Sequence, residues 1–301
     1  MKKLFITFGC SWTMGVGTYY YEGMSEKEYY NTWDRPEGTF REIIAKELSA
    51  DTLNFSIGGT SNQKQFRFAK HFFPSDEFNN IKEKYDEIIV LWGITSTART
   101  EIYDYRTQDL KNIILPNPKF SWQKVVNNEN YIIKQWMRFF YNHDHEVHAL
   151  AKEMHFFNSY FAALGIKNYW FDTFNHHDYQ KDHPGVINFK TDEYTVEKDR
   201  RKKDQDNKIT VEIKEESIKA SKPISNLLFN NHPQRDLCTL LCKKHGMTKL
   251  DNDYHTSTYR EDTNRIKFLA EKGIVNPYSY HPTKEGHQQI AEMVLNEINT
   301  L

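Results

Sequence analysis

Charge of one sign is what this chain most plainly lacks: 40 lysines and arginines stand against 41 aspartates and glutamates, a formal net charge of −1 over 301 residues. A chain so balanced projects no strong field, which argues against nucleic acid or a membrane surface as partner. Cysteine is scarce as well. The three present, Cys10, Cys238 and Cys242, are an odd number, which argues against a disulfide framework. Cys238 and Cys242 share an expected helix at a spacing that suits neither a redox pair nor a helix-borne disulfide, so buried free thiols are expected. No apolar run approaches the roughly 18 residues of a membrane span. The apolar run after Met1-Lys2-Lys3 is too short for a secretory leader. These absences predict a soluble protein made in a cytoplasm, without a signal peptide.

What the chain has in plenty is aromatic side chains, with 20 Phe, 18 Tyr and 6 Trp. Their ordinary home is a core, although they also suit a carbohydrate cleft. The length allows one large domain or two small ones. A β-branched and aromatic run predicts a first strand over about residues 3–8, ending in Gly9-Cys10-Ser11-Trp12-Thr13-Met14-Gly15. Residues 18–38 read as a loop. Phe40, Ile43, Ile44 and Leu48 share one helical face. Leu53-Asn54-Phe55-Ser56 predicts a second strand, ending in Gly58-Gly59-Thr60-Ser61-Asn62 and opening a helix near 61–72. Asp86–Gly93 reads as a buried central strand, followed by Ile94-Thr95-Ser96-Thr97.

Residues 101–128 read as irregular and 130–164 as helical. Residues 167–171 predict a fourth strand. Residues 173–225 read as an insertion with a short strand near 209–213. Helices are expected near 233–245, at 260–271 and after Thr283, a candidate N-cap. The alternation predicts an α/β fold: a three-layer α/β/α single domain around a parallel sheet, carrying that insertion.

Three strands therefore end in small, polar, glycine-bearing turns. The carboxyl edge of a parallel sheet is where ligands bind in open α/β folds. A serine there can act as a nucleophile if a base lies within reach and donors face the developing oxyanion. Ser11 is the candidate nucleophile and His281 the candidate base. Gly58 and Gly59 offer backbone amides that a side chain would otherwise shield.

Four segments resemble, in order, the blocks of the SGNH (GDSL-like) hydrolases, and more narrowly phage-type members with a Gly-Cys-Ser-Trp-Thr first block. Phe8–Gly15 is similar to the first, Asn54–Asn62 to the second, Val90–Ser96 to the third and His281–Ala291 to the last. The resemblance covers residues 3–172 and 278–300 and leaves the insertion aside. It implies Ser11 as nucleophile, His281 as base, and Ser11, Gly59 and Thr95 around the oxyanion. It implies no metal and no cofactor. The family usually has Asp where Cys10 stands, Asn where Thr95 stands, and Asp where Tyr278 stands. Ser96 or Asn62 is then a candidate for completing the oxyanion hole. Tyr278, Asp253, Asp262 or a backbone carbonyl is a candidate for orienting His281. The implied activity is carboxylic-ester hydrolysis, removing an acyl group from a carbohydrate, and the phage-type likeness adds virion assembly partners.

Other readings stand beside this one. Ser11 is also a turn serine by type, and His281 a residue flanking a helix start. A catalytically silent SGNH-fold protein, a phage structural or glycan-binding component, would keep the fold without turnover. A metal enzyme would draw on His143, His145, His148, His155, His176 and His177, but no His-Glu-x-x-His pair is formed. Cys10 is itself a candidate reactive thiol, though beside an inward Ser11 it is expected to be buried.

Overall fold

The computed structural model describes residues 1–32, 37–104, 108–114, 143–174, 177, 179, 224–232, 235–247 and 263–301. A parallel sheet with helices forms the centre, as the alternation predicts. Its strands are β1 (Lys3–Phe8), β2 (Ala50–Asn54), β3 (Glu87–Ile94) and, later in the chain, β6 (Lys167–Asp172), in the order β2-β1-β3-β6. All three pairings are parallel. From β1 the chain crosses to β2 on one side, and from β3 it crosses to β6 on the other. The crevice beyond the carboxyl ends of β1 and β3 is therefore the topological switch point of the sheet, where such folds bind ligands.

Successive residues of a strand point to opposite faces, and here they enter two separate apolar clusters. Phe5, Ile89, Leu91 and Phe171 pack with α3 (Phe40–Glu47), α7 (Leu237–Lys244), α8 (Thr263–Glu271) and α9 (Lys284–Thr300). Leu4, Ile6, Phe8, Val90, Trp92 and Trp170 pack with α4 (Asn62–Phe72), α5 (Asp76–Lys82) and α6 (His143–Leu164). Here the aromatic surplus is put to use. Phe8, Trp92 and Trp170 are register partners on neighbouring strands and stack with centroids 4.2 and 4.9 Å apart. The polar edges of the two indoles are satisfied, since Trp92 Nε1 donates to Asn168 Oδ1 and Trp170 Nε1 to Asn158 Oδ1, at 2.7 and 2.8 Å.

Local signals set the helix ends. Thr39 caps α3 in a reciprocal box with Glu42. Thr283 accepts from Gly286 N and caps α9, as expected. The three cysteines are free and buried, also as expected.

Several elements differ from the sequence reading. Part of the stretch read as irregular from residue 101 onward is an antiparallel pair, β4 (Arg99–Asp104) and β5 (Asp109–Ile114). Its residues are largely polar, so no apolar alternation announced it. The loop expected over 18–38 contains the helix α2 (Glu26–Thr32). The helix expected from 130 is described from His143 onward. The short strand near 209–213, and nearly all of the 173–225 segment, lie outside the described residues. Among those described, no helix is long and apolar enough to cross a membrane.

Candidate active site

Ser11 follows β1 directly and begins α1 (Ser11–Met14), a single turn. The turn is pinned to the sheet by Thr13. A Cβ at Gly9 or Gly93 would lie 2.1 or 2.4 Å from Thr13 Oγ1, so both strand ends must be glycine for Thr13 to seat between them. Ser11 is 8% exposed. Its carbonyl accepts from Gly15 N and Val16 N, closing the turn. Cys10 is fully buried in the apolar cluster with Phe5 and Leu91. That orientation leaves the thiol outside the crevice chemistry.

The loop after β2 runs alongside this turn. Phe55 N donates to Thr7 O and Ile57 N to Gly9 O, continuing the parallel ladder past the ends of the strands. The next residue, Gly58, comes to Ser11: a Cβ built on it would lie 3.9 Å from Ser11 Cβ. Gly59 holds φ at +69°, a left-handed conformation that favours glycine, and space is open where its Cβ would be.

Thr95, at the end of β3, is fully buried. Asn62 grips its backbone from the start of α4. Asn62 Oδ1 accepts from Thr95 N at 2.9 Å and Asn62 Nδ2 donates to Thr95 O at 2.8 Å. The amide of Asn62 is thus committed to fixing Thr95 in place. The Thr95 hydroxyl has no hydrogen-bond partner among the described residues.

His281 reaches the same region from the far end of the chain. Its loop packs on the turn that begins at Ser11: a Cβ at Gly17 would come within 2.9 Å of His281 Cβ and 2.5 Å of Pro282 O. Gly17 also has φ +103°, so no other residue fits there without strain.

The side chain that orients His281 is Ser279, whose Oγ lies 2.7 Å from His281 Nδ1. Tyr280, between them, has φ +59°. That left-handed step turns the chain so that side chains two apart meet. Ser279 Oγ also lies 2.5 Å from Tyr29 Oη and 3.2 Å from Asn276 Oδ1. Asn276 Nδ2 donates to Tyr29 Oη at 3.2 Å and to His281 O at 2.9 Å.

One proton arrangement satisfies every one of these contacts. Asn276 donates to Tyr29, Tyr29 donates to Ser279, Ser279 donates to Asn276 Oδ1, and His281 Nδ1–H donates to Ser279. It leaves the Nε2 lone pair of His281 as the acceptor. Burial raises the Tyr29 hydroxyl above its ordinary range, which keeps it a donor.

Tyr278 stands where the resemblance expects an acid, but its hydroxyl donates to Met24 O at 2.6 Å, away from His281. Asp253 and Asp262 lie outside the described residues. The basicity of His281 is depressed to about 3, first by loss of solvent around the ring and then by the positive charge of Arg99, while a hydrogen bond to the backbone of Ser279, an orienter of the backbone kind the sequence allowed, opposes the shift. The adjacent His287 is also depressed to about 3, chiefly by burial. It accepts from Phe40 N through Nδ1 and stacks on the Phe40 ring, so its part is to join α9 to α3.

Among the described residues no group of three or more His, Cys, Asp or Glu could hold a metal ion. His143 lies at the start of α6 and His176 is outside the described residues. Sequence reasoning missed Ser279, Asn276, Tyr29 and Arg99. The Asn276-Pro277 turn signal was available for the first two. Nothing in the sequence joins Tyr29 to a loop 250 residues away.

No protein-family model matches the chain, and a search of the curated proteins finds no match.

Proposed function

We propose that the chain is a divergent SGNH-type hydrolase that cleaves carboxylic esters, removing an acyl group from a carbohydrate. The observation that carries the reading is the contact of His281 Nδ1 with Ser279 Oγ, in a loop that packs on the turn beginning at Ser11. In the proposed reaction Ser11 Oγ attacks the acyl carbonyl and its proton passes to His281 Nε2. The N–H groups of Ser11 and Gly59, with the Thr95 hydroxyl, stabilise the oxyanion. Collapse breaks the bond to the alcohol, which leaves with the proton from His281. Water, deprotonated by His281, then releases the acid and restores Ser11.

The same proposal extends to architecture. The two apolar clusters on alternate strand residues support helices layered on both faces of the sheet, with 173–225 inserted outside them.

One observation favours a second reading, a catalytically silent protein that binds glycans. A histidine whose basicity is depressed to about 3 is a poor proton acceptor near neutrality. Labelling with a fluorophosphonate separates the two. The hydrolase reading predicts covalent labelling of the wild type, abolished in Ser11→Ala and slowed in His281→Ala. Labelling that survives Ser11→Ala, or none in any form, refutes it.

A further inference from the structure

Arg99 has no part in the reaction above, and its setting is odd for a cation. It opens β4 and is only 8% exposed. Its Nη1 is buried with no hydrogen-bond partner among the described residues. The guanidinium lies over the Phe174 ring at 5.4 Å, a contact that leaves its in-plane donors unused. Arg99 lines a cavity of about 350 Å³ with Asn62, Thr97 and Glu146.

Two other cations on its wall have acidic partners. Arg67 grips Glu101 with two bonds of 2.7 and 3.1 Å, and Lys70 meets Glu153 at 2.6 Å. Glu146, an acid on the same wall, accepts from Gln63 at 3.4 Å. A buried cation without a counter-charge is costly, and a planar fork of donors matches a carboxylate.

The cavity is tied to the candidate site through one wall residue, and Arg99 through the ring beneath it. Asn62, on its wall, is the clamp on Thr95. The Phe174 ring beneath Arg99 meets Trp12, the neighbour of Ser11, edge-on at 5.0 Å. The field of Arg99 is also felt at His281.

We propose that Arg99 anchors a carboxylate of the ligand, so that the saccharide taken at this site is an acidic sugar. That the ligand is a saccharide, and the ester substrate, rests on the hydrolase reading; the anchoring of a carboxylate does not.

The test is binding of galacturonate against galactose to the full chain, measured by calorimetry. Wild type should prefer galacturonate by about 10- to 100-fold, the worth of a charged hydrogen bond. Arg99→Gln should abolish the preference while melting no lower than wild type, because it removes an unpaired buried charge. Arg99→Lys, which keeps charge without the fork, should retain only part of it. Ser11→Ala should bind galacturonate as wild type does. If it does and no form is labelled by a fluorophosphonate, the hydrolase reading falls and the anchor stands. Equal binding of both sugars, a preference that survives Arg99→Gln, or tighter binding of inorganic phosphate than of galacturonate would overturn the proposal.

Discussion

Replacing Ser279 tests the wiring of His281 most directly. In Ser279→Ala the Nδ1–H loses its side-chain acceptor, keeping only the bond to the backbone of residue 279, and Tyr29 loses one of its partners. Leaving such groups unpaired costs about 1–3 kcal/mol, or roughly 10- to 100-fold in any step that needs this tautomer. The effect should be smaller than the roughly 10⁴ lost when a carboxylate orienter is neutralised, because a neutral hydroxyl stabilises imidazolium less.

Ser279→Asp makes the opposite change. A carboxylate about 4 Å from the ring, at an effective dielectric of 20, contributes about 4 kcal/mol in favour of imidazolium. That corresponds to about three pKa units upward, from the native value of about 3. Nitrogen-15 NMR of the imidazole reads both tautomer and titration without requiring turnover. Wild type should show Nδ1–H and a ring still neutral at pH 5, and Ser279→Asp a ring titrating near or above it. On an activated ester, the acid limb of kcat/KM should move the same way. An Nε2–H tautomer in wild type, or a titration unmoved by Ser279→Asp, would refute the reasoning.

Three further outcomes follow from the same geometry. His287 is fully buried with its folded pKa depressed from 6.5 to about 3. The unfolded chain therefore binds the extra proton between those values, and stability present above pH 6.5 is lost as pH falls. His287→Gln should flatten the urea-measured pH slope in that window by about 1.4 kcal/mol per unit; an unchanged slope counts against a buried neutral ring. Gly17→Ala should lower stability by about 1–3 kcal/mol through its left-handed backbone and overpacking, and should slow labelling at Ser11 by disturbing Pro282 and His281. A variant that melts and labels like wild type would mean that the loop does not press on this turn. Thr95→Val removes a buried hydroxyl that has no partner among the described residues. Thermal melting should be unchanged or higher, since an unsatisfied polar group is lost, while ester turnover falls roughly 10-fold or more if the hydroxyl serves the oxyanion. Unchanged turnover would remove Thr95 from that role.

The parallel sheet was legible because its signals are local and apolar. Glu87–Ile94 is an almost unbroken hydrophobic run, and β1, β2 and β3 each end in a small polar turn. The β4–β5 pair escaped because its register pairs, such as Glu101 with Asn112 and Ile102 with Lys111, carry no apolar stripe. The place of Ser11 was legible from the same logic, since a residue just past β1 faces the switch point once β2 and β3 flank that strand. The orienter of His281 was not. Its contact depends on a left-handed Tyr280, which no sequence rule assigns to tyrosine, and on Tyr29 arriving from α2. Arg99 was hidden for a different reason: nothing in its setting, Thr97-Ala98-Arg99-Thr100, marks a site, and only the lack of a hydrogen-bond partner among the described residues does.

The neutral network and the unpaired cation bear on one another. A carboxylate beside His281 would strengthen the base permanently. Ser279 does not, and the charge of Arg99 weakens the base further, so His281 alone holds a proton poorly. An anionic ligand seated on Arg99 changes that balance. It screens the cation that disfavours imidazolium, and that raises the basicity of His281. Burial, the larger cause of the depression, stays in place, so His281 should hold a proton better with an acidic ligand on Arg99 than without it, though not fully. A neutral ester would meet the same residues and find a weaker base. The neutral partner at Ser279 and the charge of Arg99, which has no counter-charge among the described residues, then act together, and a ligand carboxylate would supply the negative charge that these residues do not.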